Sequence, residues 1–315
     1  MCKLRQIFKT LLLSIFLLTS ASILAQEDKL LRAQRLTKTD PEAARLAIDS
    51  VIVHPTTQTD YMSWTIRAYV YFELYKKTDK FKLHSTLRDT ILSSIRISNS
   101  LKPDSSFLEN NMKLIKNLAL GYYNIAAKQL EDSVNYEQSI AAYTKYKELY
   151  LQYDPKANFN AKDIEYYGGV GSKFAEIFNK DNNNTKAGDI GKVSLLKVLE
   201  LDPDNPTANI NMGLMYFNQA VYLSKSLDFG ADFTQIDIVQ ENMIKLAKQS
   251  EPFILKVYTK DNNKVKAIQA LFYIYRMLNE NAKSDEFKKL CLEKGVKLED
   301  NAEVKEGDPQ QTKDK

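Results

Sequence analysis

The chain has 315 residues, 44% of them hydrophobic and 27% charged. This composition argues against global disorder, and the length is enough for one large domain or two small ones. It contains only 10 glycines and 8 prolines. All-β and Rossmann-type folds need many glycine and proline turns, so the scarcity of both residues favours helices.

The N-terminus has the layout of a secretory signal. Lys3, Arg5 and Lys9 form a basic start, and the run from residue 10 to residue 25 carries no charge. We predict a signal peptide over residues 1–25, cleaved after Ala25. The alternative is an uncleaved membrane anchor, although the run is shorter than the roughly 20 residues that span a bilayer. Cys2 precedes the apolar run, which argues against a lipoprotein anchor.

Cleavage would change the charge of the protein. It would remove three of the 44 basic residues and none of the 40 acidic ones, and so lower the net charge from +4 to +1. The basic character therefore comes largely from the targeting segment, and it gives no reason to expect nucleic-acid binding. The mature chain would keep one cysteine, Cys291, whose amphipathic surroundings predict a buried, inert thiol rather than a reactive one.

Two spacings recur along the rest of the chain and predict helices in pairs. A spacing of four, three and five residues that ends in proline occurs at Ala43, Ala47, Ser50 and Pro55, at Ile91, Ile95, Ser98 and Pro103, and at Gly191, Leu195, Val198 and Pro203. An aromatic residue, a small residue and a second aromatic, four and three apart, occur at Trp64, Ala68 and Tyr71 and at Tyr167, Gly171 and Phe174. Partial matches lie at Tyr122 and Ala126, at Gly213 and Tyr216, and at Tyr275, where Phe272 takes the small-residue place.

The run from Leu199 to Pro206 is the most specific part of this pattern. An amphipathic helix runs into Asp-Pro-Asp-Asn-Pro, where proline ends it, and a second helix with an embedded glycine follows. The whole pattern resembles the tetratricopeptide repeat family. The resemblance implies an all-α fold, a tetratricopeptide-like α-solenoid of antiparallel helix pairs, over one domain at residues 26–298. The polar tail at 299–315 is predicted to be disordered.

The repeat lengths are irregular. The small-residue places at 68, 126, 171, 213 and 272 are 58, 45, 42 and 59 residues apart, whereas a standard repeat has 34 residues. Each repeat must therefore contain longer helices than a standard repeat, or inserted loops. Within the helical run Asn242 to Tyr258, Pro252 is expected to kink the helix or to start a new one.

No motif predicts catalysis, and we expect no enzyme activity, cofactor or metal. The only histidines, His54 and His84, are thirty residues apart, and no His/Cys cluster exists to hold a metal. The glycine-rich run from Gly168 to Gly171 lacks the preceding strand and the Lys-Ser order of a phosphate loop, so we interpret it as close helix packing. Oxygen ligands for calcium at residues 181–184 or 202–205 lack the spacing of a known calcium loop.

The resemblance implies a groove lined by the first helix of each pair, which receives a peptide or a helix of a partner. Asn124 and Asn211 occupy equivalent first-helix places and are the predicted partner contacts, because an amide can bond a peptide backbone from both sides. The alternative is that both are solvated surface residues. We predict an exported, periplasmic or envelope-associated interaction scaffold that contacts a membrane only through its N-terminus or a partner. The alternatives are an envelope-complex subunit with an uncleaved anchor and an α/α-type hydrolase with unrecognised carboxylates.

Overall fold

The structure is a computed structural model that describes residues 25–80, 82–131, 135–227, 230, 232–262 and 264–298. The predicted signal segment lies outside these ranges except for its last residue, and the predicted polar tail lies wholly outside them. Within the described ranges, no helix combines the length and the apolar character that crossing a membrane requires.

The described residues form twelve helices and no strand. The first, α1, is helical from residue 25, where the description begins, to residue 36. The others are α2 (Pro41–Val51), α3 (Tyr61–Thr78), α4 (Thr86–Ser100), α5 (Ser105–Gln129), α6 (Tyr136–Tyr153), α7 (Asn160–Lys180), α8 (Thr185–Leu201), α9 (Pro206–Lys225), α10 (Phe233–Lys260), α11 (Val265–Met277) and α12 (Asn281–Glu293).

Local sequence determines where most of these helices begin. A side-chain oxygen of an Asp, Ser or Asn accepts a hydrogen bond from a backbone N–H of the first turn, and each such cap stabilises its helix by about 0.5–2 kcal/mol. The capping residues are Asp40, Asp60, Ser85, Asp104, Asn184, Asn205 and Asp232. In α2 and α9 a proline follows the cap, where its missing N–H costs nothing.

The helices pack in sequence-adjacent pairs: α3 with α4, α5 with α6, α7 with α8, α9 with α10, and α11 with α12. The prediction of an all-α, tetratricopeptide-like arrangement of helix pairs with irregular lengths is confirmed. Helix length accounts for much of the irregularity, since α5 has 25 residues and α10 has 28, whereas α12 has 13.

The chain divides into two compact units, Met1–Ala157 and Asn158–Lys315. The described part of the first unit holds α1 to α6, and that of the second holds α7 to α12. The sequence predicted one repeat domain over residues 26–298, and the continuity of the repeat across residue 157 stays a prediction.

A buried polar network joins three helices of the first unit. The Thr65 hydroxyl of α3 donates to Asn111 Oδ1 of α5 at 3.0 Å, and Asn111 Nδ2 donates to Ser98 Oγ of α4 at 3.0 Å. Ser98 Oγ in turn donates to the carbonyl of Tyr61 at 3.1 Å. Buried polar groups that satisfy one another in this way fix one arrangement of the helices that carry them.

The core of the second unit lies between α9, α10, α11 and α12. It contains Leu214, Phe217, Ile254, Leu271 and Phe287.

Pro252 lies inside α10 and does not begin a helix. Ser250 and Ile254 on either side of it are fully buried, and Ser250 Oγ donates to the carbonyl of Gly213 at 2.7 Å. Tertiary packing on both sides of the proline therefore holds the helix together.

Candidate functional site

Two predicted packing glycines, Gly171 and Gly213, lie against a neighbouring helix. A β-carbon on Gly171 would lie 2.6 Å from Leu195 Cδ2 of α8, and one on Gly213 would lie 2.5 Å from Ile254 Cδ1 of α10. Both distances are shorter than any stable carbon–carbon contact, so a β-carbon at either position would force the neighbouring side chain to shift. In the same α7 run, a β-carbon on Gly169 would meet nothing within 4 Å.

The other predicted packing residues differ in burial. Five of them are buried: Ala68, Tyr71, Ala126, Phe174 and Tyr275. Trp64 is half-buried, and its Nε1 donates to the carbonyl of Gln58 at 2.8 Å. Tyr216 is half-buried and stacks on Phe253 of α10, while Pro203 is exposed in the turn between α8 and α9.

The two predicted partner contacts lie in different environments. Asn124 is exposed on α5. Asn211 is only 6% exposed, and its Nδ2 donates to Ser172 Oγ of α7 at 2.9 Å. The amide of Asn211 therefore already bridges the first helices of two successive pairs.

The second unit carries a cleft of about 370 Å³ between α8, α9 and α10. We call it the basic cleft. Its lining residues are Lys192, Tyr216, Gln219, Leu223, Asn242, Lys245, Leu246 and Gln249. Among these described lining residues there are two lysines and no carboxylate, so the cleft favours an anionic ligand.

Lys192 supplies the less solvated of the two charges. Its Nζ lies 4.7 Å from the centre of the Tyr216 ring and 5.7 Å from that of Phe178, and the side chain is half-buried. Burial lowers the pKa of Lys192 below its usual value, and the charge of Asp189 opposes that shift only in part. No carboxylate of the described chain lies within 4 Å of Nζ, so Asp189 acts on the ammonium only at longer range and Lys192 forms no direct salt bridge.

Gln219 adds an unsatisfied acceptor to the same wall. Its Oε1 is buried and has no hydrogen-bond donor in the described part of the chain. A buried amide oxygen without a donor costs about 1–3 kcal/mol.

Sequence reasoning found only Tyr216 of this cleft and assigned it to packing. Lys192 lies on a second helix, and the resemblance directs attention to first helices. From the sequence alone, a lysine on an amphipathic helix is expected to be a solvated surface residue. The packing of α8, α9 and α10 shows that Lys192 is instead half-buried.

The sequence argued against a catalytic or metal-binding role for several residues, and the structure describes their surroundings. His54 Nδ1 lies 2.8 Å from Thr56 Oγ1 in the turn after α2, and the glycine run at 168–171 is helical. Burial raises the pKa of the Cys291 thiol to about 11, and the side chain has no exposed surface. In the described ranges, no three His, Cys, Asp or Glu residues gather to hold a metal ion.

No family model matches the chain, and no curated protein matches it. Among solved structures, it is similar to the crystal structure of PilW, a widely conserved type IV pilus biogenesis factor, with 14% identity over 85% of this chain and 93% of that chain. The TM-score is 0.32, a value at which the likeness carries no inference about function.

Proposed function

We propose that this chain is a non-catalytic protein-interaction scaffold whose second unit binds an acidic segment of a partner protein in the basic cleft. The observation that carries the proposal is Lys192, a half-buried ammonium on two aromatic rings that forms no salt bridge with a carboxylate of the described chain. A carboxylate in the cleft would supply that salt bridge. In a partly desolvated site, such a charge pair contributes more than one on an open surface.

The exposed members of the cleft suit a flexible peptide. Asn242, Lys245 and Gln249 lie on α10 as exposed residues and offer amides and a second ammonium to the backbone and side chains of a ligand. Leu223 and Leu246 supply apolar contact between the polar groups. We expect a ligand in which acidic residues alternate with apolar ones.

A binding measurement tests the proposal. The probe is a fluorescein-labelled peptide of alternating Glu and Leu, and its counterpart carries Gln in place of Glu. We expect Lys192→Met to weaken binding of the acidic peptide at least tenfold, because methionine keeps an apolar stem and removes the charge. Fluorescence anisotropy at low and high salt measures the affinity, which should fall with salt.

Lys197→Met is the matched control. Lys197 lies on the same helix, and its Nζ lies 4.3 Å from the centre of the Tyr167 ring, but it does not line the cleft. The control should bind the acidic peptide as the parent does. Equal loss in both variants, or equal binding of the Gln peptide, would contradict the proposal.

We also propose that the protein works outside the cytoplasm, in the periplasm or associated with the envelope. The basic, apolar and small-residue order of residues 1–25 supports export. N-terminal sequencing of the protein from the periplasmic fraction should begin at Gln26. A chain that begins at Met1 and stays with the membrane fraction would instead support the uncleaved anchor.

Asn124 remains a proposed partner contact of the first unit. It is exposed on the first helix of its pair, and its two-sided amide fits an extended peptide backbone. Chemical crosslinking in the envelope fraction, followed by purification of the Asn124→Ala variant, tests it. Recovery of the same partners in the same amount as with the parent chain would remove Asn124 from the proposal.

A further inference from the structure

The seam between α7 and α9 carries hydrogen bonds at two levels. Asn211 Nδ2 donates to Ser172 Oγ at 2.9 Å, and farther along the Tyr222 hydroxyl donates to Asn183 Oδ1 at 2.9 Å. In both bonds the two partners are 39 positions apart. The residue numbers of the two helices therefore rise together along the seam, so the helices run in the same direction and keep one register.

The same register places Asn179 of α7 opposite Asn218 of α9. Asn179 comes seven residues after Ser172, and Asn218 comes seven residues after Asn211. Residues seven apart share one face of a helix, so both asparagines lie on the faces that form the seam. Asn218 is only 8% exposed. The seam therefore holds a buried level of two amides between its two hydrogen-bonded levels.

The amides of this level have no hydrogen-bond partners. Oδ1 and Nδ2 of Asn179 and Oδ1 of Asn218 are buried and unpaired within the described part of the chain. Oδ1 of Asn182, in the turn after α7, is unpaired too, although its Nδ2 donates to the carbonyl of Phe178 at 2.9 Å. Half of the eight such atoms among the described residues belong to these three asparagines. Buried amide atoms without partners are costly, and a cluster of them is typical of a functional site.

The unpaired atoms suit a neutral ligand that both donates and accepts hydrogen bonds. Three of them are carbonyl oxygens, one is an amide nitrogen, and none carries a charge. An extended peptide presents an N–H and a C=O on the same edge at every second residue, about 7 Å apart. Helix positions four residues apart, such as Asn218 and Tyr222, are about 6 Å apart along the axis. The repeat of a peptide backbone therefore matches that of the seam.

Tyr222 and Asn183 cover the end of the seam. Both residues are exposed, so the hydrogen bond between them faces solvent and opens at low cost. Asn179 and Asn182 are half-buried and lie next to this end. A ligand reaches their amides once the Tyr222 side chain has turned away, and exposed side chains change rotamer within nanoseconds.

We propose that this end of the α7–α9 seam binds the main chain of an extended segment of a partner protein, and that the Tyr222–Asn183 bond closes the site in the free protein. The asparagine amides bond the N–H and C=O groups of the ligand, so recognition does not depend on its side chains. The site is separate from the basic cleft, which lies between α8, α9 and α10.

Binding of a neutral peptide tests the proposal. The probe is a short fluorescein-labelled peptide of alternating Ser and Thr, and its counterpart carries a methyl group on every amide nitrogen. The methyl groups keep the side chains and remove the N–H donors. In fluorescence anisotropy, the parent chain should bind the probe at least tenfold more tightly than the counterpart.

Substitutions in the seam separate recognition from a structural role. Asn218→Leu should weaken binding of the probe at least tenfold and abolish the preference over the counterpart. The midpoint of its urea unfolding should stay the same or rise, because the change removes a buried polar group that has no partner. Tyr222→Phe should bind the probe two- to tenfold more tightly, because no hydrogen bond has to break.

Two control variants should bind the probe as the parent chain does. Asn117→Leu makes the same change as Asn218→Leu, but at an exposed position of α5. Lys192→Met removes the charge of the basic cleft, so a failure of either proposal is seen independently of the other.

Three outcomes would overturn the proposal. The parent chain could fail to bind the probe, or could bind both peptides equally. Asn218→Leu could destabilise the second unit, which would show that the amides already satisfy one another in the folded protein. Asn117→Leu could weaken binding as much as Asn218→Leu does, which would place the peptide elsewhere.

Discussion

Gly171 and Leu195 set the distance between α7 and α8. A β-carbon on Gly171 would lie 2.6 Å from Leu195 Cδ2, 2.7 Å from its Cγ and 3.2 Å from its backbone nitrogen. Leu195 is fully buried and lies in the middle of α8, so a shift of its side chain would disturb the packing around it. The close packing of this pair therefore depends on one missing methyl group.

Gly171→Ala should destabilise the second unit by about 1–2 kcal/mol. Overpacking a core costs about 1–3 kcal/mol, and the better helix propensity of alanine offsets up to about 1 kcal/mol of that. Gly169→Ala on the same helix should stabilise by about 0.5–1 kcal/mol, because a β-carbon there meets nothing within 4 Å. Urea unfolding followed by circular dichroism measures both, and the same sign for both changes would contradict the packing account.

Asn111→Ala should destabilise the first unit by about 1–3 kcal/mol. The change leaves Ser98, Asn99 and Thr65 without the amide that they bond, and Asn111 is fully buried. Asn110→Ala is the neighbouring control, because Asn110 is only half-buried and no side-chain hydrogen bond of it is seen. The single tryptophan of the chain, Trp64, lies on α3 of this unit and reports its unfolding by fluorescence. Equal stability of the two variants would show that the network contributes nothing.

The sequence predicted the helices and their close approaches because those depend on local signals. Asn205 caps α9 and Pro206 is its first residue, so the local sequence alone determines where this helix begins. A glycine inside an apolar helix, such as Gly213, indicates that another helix packs closely against it. Asn211 shows where local signals end. Asn211 and Asn124 occupy equivalent places on the first helices of their pairs. The Asn211 amide nevertheless donates a hydrogen bond to Ser172, which lies 39 positions earlier and which only the packing of α7 on α9 brings near. Lys192 was missed for the same reason, since its burial depends on three helices at once.

Cys291 should resist thiol reagents in the folded protein. It has no exposed surface, and burial raises its pKa from 9.0 to about 11, so almost no thiolate is present near pH 8. Because the folded pKa lies above the unfolded one, the contribution of this group to stability is complete below about pH 9 and is lost as the pH rises toward 11. In a Cys2→Ser chain, labelling of Cys291 by a chromogenic disulfide reagent at pH 8 should be negligible in the folded protein and complete in the urea-unfolded protein. Rapid labelling of the folded chain would show that Cys291 is accessible.

Asn211 and Asn124 should respond differently to the same substitution. Asn211→Ala removes a buried donor and leaves Ser172 without its partner, which should cost about 1–2 kcal/mol in urea unfolding. Asn124→Ala changes an exposed residue and should leave stability within about 0.5 kcal/mol of the parent. A double-mutant cycle with Ser172→Ala isolates the Asn211–Ser172 pair, whose coupling energy should be about 0.5–1.5 kcal/mol. If the cycle shows no coupling while Asn211→Ala weakens partner binding in a fully stable protein, Asn211 acts in recognition and not in holding α7 against α9.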